Sequence, residues 1–221
     1  MSVHEQTDQR RPKEIRAVIL DYDLVLCRSP QKEHIDKMAT AFGVDPNTFW
    51  RLYDQNRGPL DKGEVTPAAY WKSVARDAGK KVDAFTIERL EDLDVDMWDT
   101  PEERLLEWAQ TLQANGYKTA LLANSHPRLV AHLRRNRPWL RVFDVCVFSS
   151  EVRLIKPDPA IFRHTLEKLG VDAPGVLFID DRFSNITVAR TLGIEAIRFT
   201  TLTELNKQLK DAGFPHLVRT P

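Results

Sequence analysis

The 221-residue chain carries 32 Lys+Arg against 32 Asp+Glu, a formal charge of +0, so it lacks the broad positive field that non-specific binding to nucleic acid or anionic membrane needs. At roughly 150 residues per domain, the length accommodates one full domain and a smaller piece and excludes a tandem of large domains. A hydrophobic content of 42% with 29% charged residues is that of a globular chain with a core, which excludes disordered and fibrous classes.

Cys27 and Cys146 each sit in an apolar run without a spaced framework, so both are expected as buried free thiols, and the cytoplasm is the expected compartment. Residues 1–14 are polar and mixed in charge, unlike a secretory signal, and no stretch reaches the ~18 consecutive apolar residues of a spanning helix. A loose tail is expected over residues 1–12. Arg16-Ala17-Val18-Ile19-Leu20 then reads as a strand buried on both faces, stopping at Asp21. From 28 to 98 the periodicity is helical, with breaks at Gly43, Gly58-Pro59 and Gly79, which predicts an all-helical insert. Asp45-Pro46 and Thr66-Pro67 each place an N-cap oxygen ahead of proline at the first helical position, and Thr100-Pro101-Glu102-Glu103 reads as another helix start. Beyond it, strands at 118–123, 142–148, 176–179 and 195–199 alternate with helices at 127–137 and 159–169, one that ends at Leu192-Gly193, and a last one at 202–212. Such alternation predicts an α/β fold, a Rossmann-like doubly wound parallel sheet built from 13–27 and 99–221, with 28–98 inserted as a helical cap.

Ligands of such sheets bind outside the carboxyl ends of the strands. Three strands here end in polar clusters: Asp21-Tyr22-Asp23, Asn124-Ser125-His126 and Asp180-Asp181. Any one of them could merely cap the helix that follows. Should Asp21, Asp23, Asp180 and Asp181 meet at one sheet edge, their mutual repulsion requires a cation, and an all-oxygen donor set without a Cys or His cluster favours Mg²⁺ over Zn²⁺. Lys156, in Leu154-Ile155-Lys156-Pro157-Asp158-Pro159, could add positive charge; taken alone it reads as a solvated loop residue.

These residues resemble, in order, the motifs of the haloacid dehalogenase superfamily. Asp21-Tyr22-Asp23-Leu24-Val25-Leu26 is similar to the nucleophile motif, Leu121-Leu122-Ala123-Asn124 to the second, Lys156-Pro157-Asp158-Pro159 to the lysine motif, and Phe178-Ile179-Asp180-Asp181 with Asn185 to the acidic motif. The helical insert matches the subclass with a small helical cap, and the last two motifs resemble those of its sugar-phosphate phosphatases. The resemblance implies a Mg²⁺-dependent phosphomonoester phosphatase acting on a small ester such as a sugar phosphate. In it Asp21 is the nucleophile that takes up the phosphoryl group, and Asp23 is the acid and base, whose backbone carbonyl also ligates the metal. Asp180 and Asp181 hold Mg²⁺ directly or through water, Lys156 steadies Asp21 and the phosphoryl group, and Asn185 orients the acids. A carboxylate at position 23 favours phosphatase over dehalogenase, since a departing halide needs no proton.

Two positions depart from the family pattern. Ala123 stands where the family has Ser or Thr; the missing hydrogen bond, worth about 1.5–3 kcal/mol, implies a roughly ten- to hundredfold weaker site. Asn124 and Ser125 are the candidates to contact phosphate instead. Leu24 stands where Gly or Asn is usual, so a left-handed backbone there would be strained. These departures keep open a catalytically weak or inactive phosphate- or phosphosugar-binding protein on the same scaffold. An unrelated nucleotide-binding domain is disfavoured, because no Gly-x-Gly-x-x-Gly or P-loop pattern follows a strand.

Within the insert, Tyr53, Arg57, Asp61 and Lys62 around Gly58-Pro59 are candidates to face the substrate, Arg57 foremost for an anionic or hydroxylated one. A solvated interhelical loop explains them equally well. Trp50, Trp71 and Trp98 are expected in the insert's core, His126 at a solvent-facing helix start, and Arg134, Arg135 and Arg137 on an exposed face. The expected partner is a small phosphate ester, not nucleic acid or membrane; monomer and homodimer both stay open.

Overall fold

The structure, a computed structural model, describes residues 14–218, so the tail expected over 1–12 lies outside the described residues. Strand β1 (Ala17–Leu20) is followed by five helices in succession: α1 (Lys32–Phe42), α2 (Pro46–Gln55), α3 (Arg57–Asp61), α4 (Pro67–Asp77) and α5 (Ala84–Met97). Helix α6 (Glu103–Ala114) leads into β2 (Lys118–Ala123), then α7 (Pro127–Asn136), β3 (Val145–Phe148) and the short α8 (Ser149–Val152). Helix α9 (Pro159–Leu169), β4 (Val176–Asp180), α10 (Phe183–Thr191), β5 (Glu195–Arg198) and α11 (Leu202–Asp211) complete the order. The strands form one parallel sheet in the order β3-β2-β1-β4-β5.

Alternation along the strands divides the core in two. Val18, Leu20, Leu121, Leu177 and Ile179 pack on the face shared with the helical insert, while Ala17, Ile19, Leu122, Val176 and Phe178 pack on the other, against Ile161 and Phe162 of α9. All four residues of β1 are buried, because helices cover both faces. All five strands run the same way, but the order of strand addition switches sides at the central pair, β1 leading outward to β2 and β3, and β4 to β5 on the other side. The ends of β1 and β4 therefore adjoin at the switch point of the sheet, where parallel α/β folds hold ligands.

The insert starts and stops as its caps require. Asp45 accepts hydrogen bonds from the N–H groups of Asn47 and Thr48, and Thr66 Oγ1 accepts one from Ala69, with proline following each cap. Thr100-Pro101 behaves differently from the sequence expectation. Arg28 N–H donates to Thr100 O, Glu102 N–H donates to Leu26 O, and Cys27 bridges Pro101, so the two linkers of the insert are clasped together and α6 starts only at Glu103. Strand β3 is also shorter than expected: Pro138–Val142 is a 3-10 turn, and Asp144 turns back to accept the Thr119 N–H. Cys27 is buried and Cys146 half-buried, both as free thiols. Among the described residues no helix is long and apolar enough to cross a membrane.

Leu24 has φ of +60°, the left-handed region that penalises a branched side chain by roughly 1–2 kcal/mol. Relief of that strain, partly offset by the greater chain entropy of glycine, makes Leu24→Gly about 0.5–1 kcal/mol more stable in urea unfolding. Loss of stability would place the strain elsewhere.

Candidate active site

Three strand ends build the floor of one cleft. Asp21 follows β1, its N–H continuing the ladder to Ile179 O at 2.9 Å, and Asp180 closes β4. Lys156 reaches between them, with Nζ 2.6 Å from Asp21 Oδ1 and 2.7 Å from Asp180 Oδ2. The lysine is 4% exposed, so the solvated-loop reading is corrected: its loop is folded inward. Asn124, after β2, accomplishes this by accepting the Lys156 N–H on Oδ1 and donating Nδ2 to the Lys156 carbonyl, both at 2.9 Å. Asn185, in the first turn of α10, donates Nδ2 to both oxygens of Asp180 at 2.9 Å, and the Arg182 N–H donates to Asp180 Oδ1 at 2.8 Å.

The charges are unequal. Burial and the adjacent Asp180 hold Asp21 well above the usual carboxylate range despite Lys156. Asp180, though buried, is held low by Lys156, Asp21 and the Arg182 N–H, so it is the ionised member of the pair. Asp181 is raised by partial burial and by Asp180. Burial pushes Asp23 up to about 6 against the pull of Arg57 and Lys156, and its Oδ1 is enclosed without a hydrogen-bond partner. Carboxylate oxygens of Asp21, Asp180 and Asp181 come within 4.8 Å of one another. Three hard oxygen donors, one lysine and an orphaned carboxylate oxygen alongside suit a magnesium-sized divalent cation.

The cleft, about 240 Å³, is lined by Asp21, Asp23, Lys156, Asn124, Asp181 and Asn185 on the sheet side, and by Trp50, Tyr53, Arg57 and Asp61 of the insert. Ser125 is not among its lining residues: it is buried, and its N–H donates to Ser149 Oγ at 2.9 Å. Lys62 also lies off the cleft, paired with Glu64 at 2.8 Å. Arg57 is held on every side. Nε donates to Asp61 at 3.0 Å, Nη1 donates to Asp94 at 2.8 Å, and the guanidinium lies 4.6 Å from the centroid of Tyr53. Burial pushes Asp61 up to about 7 against the pull of Arg57. Sequence reasoning did not single out Arg182 or Asp54, which line the cleft mouth with 3.8 Å between Nη2 and Oδ1. Arg182 directly follows the paired acids, a position that could have marked it.

Two further expectations are corrected. Trp71 and Trp98 are buried, but Trp50 is 36% exposed and lines the cleft, because its place on α2 turns it from the Phe49–Trp71 core. Arg134 and Arg135 are exposed as expected and Arg137 is half-buried, with Arg134 and Arg137 paired to Glu151 and Asp99. His126 is 1% exposed rather than solvent-facing, since α5 of the insert brings Asp94 over it, with Oδ2 3.5 Å from Nε2. Burial lowers the imidazole to about 3 against the pull of Asp94, so it is neutral and no ion pair forms. The folded state therefore binds fewer protons than the unfolded chain between about pH 3 and 6.5, and this contribution, complete above pH 6.5, is lost as pH falls. The stability of the parent should fall by roughly 2 kcal/mol more between pH 7.5 and 5 than that of His126→Phe; parallel pH profiles would mean that the imidazole takes up a proton as readily in the fold as in the unfolded chain.

Over residues 15–193 the chain matches the family of haloacid dehalogenase-like hydrolases. The phosphorylated carbohydrates phosphatase of Thermotoga maritima is 39% identical over 101 residues, covering 44% of this chain and 46% of that protein. Drimenol cyclase drtB of Aspergillus calidoustus is 28% identical over 201 residues, covering 88% of this chain and 36% of that protein. The chain spans less than half the length of the curated relatives it matches. In fold it resembles a HAD family enzyme of Bacteroides thetaiotaomicron solved with magnesium and inorganic phosphate, with a TM-score of 0.67 at 22% identity over 84% of this chain and 94% of that one. The extent of the family match, on a sheet whose switch point carries these acids, makes this chain a member of the haloacid dehalogenase-like hydrolases.

Proposed function

We propose that the chain is a magnesium-dependent phosphatase of small phosphate monoesters, working through a covalent phosphoryl group on Asp21. The observation that carries this reading is Lys156 Nζ, buried between Asp21 and Asp180, with Asp181 close by and Asp23, whose Oδ1 lacks a hydrogen-bond partner, lining the same cleft. The relative named a phosphorylated carbohydrates phosphatase, and the neighbour solved with magnesium and phosphate, support it.

Asp21, Asp180 and Asp181 would hold the metal, with the Asp23 carbonyl as a further ligand; when bound, it supplies the positive charge that lets Asp21 ionise and meet a phosphate dianion. An Asp21 carboxylate oxygen attacks phosphorus as the ester P–O bond breaks. Asp23, with its raised affinity for a proton, gives that proton to the departing alkoxide. It then takes one from the water that attacks phosphorus and frees Asp21. Lys156, steered by Asn124, offsets charge on Asp21 and on the phosphoryl oxygens throughout. Arg57 is spoken for by Asp61 and Asp94, so its part is to shape the insert wall.

The enzyme should release inorganic phosphate from p-nitrophenyl phosphate and from a sugar-phosphate panel with Mg²⁺ and lose that activity with chelator. Asp21→Asn should abolish it, and Asp23→Asn should lower kcat by about 10²–10⁴-fold. Equal rates in the parent and Asp21→Asn would overturn covalent catalysis. Mg²⁺-dependent phosphate binding without turnover would favour a binding protein on this scaffold.

A further inference from the structure

Four large apolar side chains stand exposed among the described residues: Leu24, Trp50, Phe85 and Phe183. Leu24 and Trp50, 38% and 36% exposed, both line the candidate active site, one from the sheet side and the other from the insert. Leu24 is also held at φ +60°, so the chain tolerates both backbone strain and an exposed leucine at one point. Strain of this kind persists where surrounding structure imposes it, and it concentrates at ligand sites. Leu24 adjoins Asp23, the group that protonates the leaving oxygen, so it stands on the leaving-group side of the cleft. Trp50 stacks on Tyr53 at 5.2 Å with an interplanar angle of 14°, which fixes its ring while leaving part of it open to the cleft.

The cations along the cleft already have carboxylate partners, which disfavours an anionic leaving group. Arg57 is paired with Asp94 and Asp61, and at the mouth Arg182 faces Asp54, with 3.8 Å between Nη2 and Oδ1. A volume of about 240 Å³ suits a phosphoryl group with a leaving group of one ring or a short chain.

We infer that Leu24 and Trp50 grip an apolar face of the leaving group, so that the enzyme favours monoesters of small uncharged alcohols with an apolar ring or chain over fully hydroxylated or acidic ones. This inference rests on the phosphatase reading above and narrows its substrate class. Leu24→Asn is the sharper probe, because asparagine keeps the branched shape, tolerates left-handed backbone and replaces the apolar methyls with a polar amide.

Benzyl phosphate and glycerol 3-phosphate, both esters of primary alcohols, are compared with Mg²⁺ present. The parent should show kcat/KM about tenfold higher for benzyl phosphate, mainly through KM, and Leu24→Asn should cut that ratio by about fivefold, the order expected when part of a leucine loses its apolar contact. Trp50→Gln should lower the same ratio and serves if Leu24→Asn does not fold. A parent that hydrolyses both esters without preference, or a ratio unmoved in the folded variants, overturns this inference and leaves the phosphatase reading standing. A parent that hydrolyses neither ester nor p-nitrophenyl phosphate overturns both.

Discussion

The Lys156 ammonium, buried 2.6 Å from Asp21 and 2.7 Å from Asp180, ties the ends of two adjacent strands to a loop that precedes a third element, α9. Breaking a buried pair by removing one partner typically costs about 3–5 kcal/mol, because the other charge is left without compensation. The arrangement is therefore tolerable only with the donors that surround it: the Arg182 N–H and Asn185 on Asp180, the Tyr22 N–H on Asp21 at 2.6 Å, and Asn124 on the lysine loop. Burial, with Asp180 and Asp23 alongside, raises Asp21 despite the ammonium, and one ammonium among Asp21, Asp180 and Asp181 leaves room for the charge of a divalent cation. The same imbalance that strains the fold prepares it for an anionic substrate once that charge is supplied.

The insert is bound to this floor by polar contacts as well as apolar ones. Within the insert, Arg57 joins α3 to α5 through Asp94, and Tyr53 Oη donates to the same carboxylate at 2.7 Å, above the neutral His126 at the head of α7. Ser149 Oγ donates to the Asp61 carbonyl, and Arg128 of α7 pairs with Glu91 of α5 at 2.7 Å, so both tie insert to sheet. With the linkers clasped at Leu26–Arg28 and Thr100–Glu102, the wall carrying Trp50 and Asp61 is held over the acids. In physical terms the insert closes a low-dielectric space in which each remaining charge counts for more.

What could be read from the sequence follows the range of the interactions involved. Strands β1 and β4 show as apolar runs ending in acids, and a parallel sheet places those ends together, so Asp21, Asp23, Asp180 and Asp181 could be singled out from local pattern alone. Leu24 could be flagged as a misfit because left-handed backbone excludes most side chains. The capture of Arg57 by Asp94, 37 positions away, had no local signal, and neither did the burial of His126 beneath α5. Asn124 could be seen as polar at a strand end, but its grip on the Lys156 backbone depends on how the 149–158 segment folds back. Thr100-Pro101 misled because a cap-like dipeptide also suits a backbone bridge, and pairing with Cys27 prevailed.

The most direct test of this account is to quench the enzyme with acid during turnover of a phosphate monoester with Mg²⁺ and weigh its peptides. One phosphoryl group on the peptide containing Asp21, absent when Mg²⁺ is withheld, is the predicted result. A phosphoryl group on another peptide, or sustained turnover with every peptide unmodified and no label retained on rapid quenching, would contradict it.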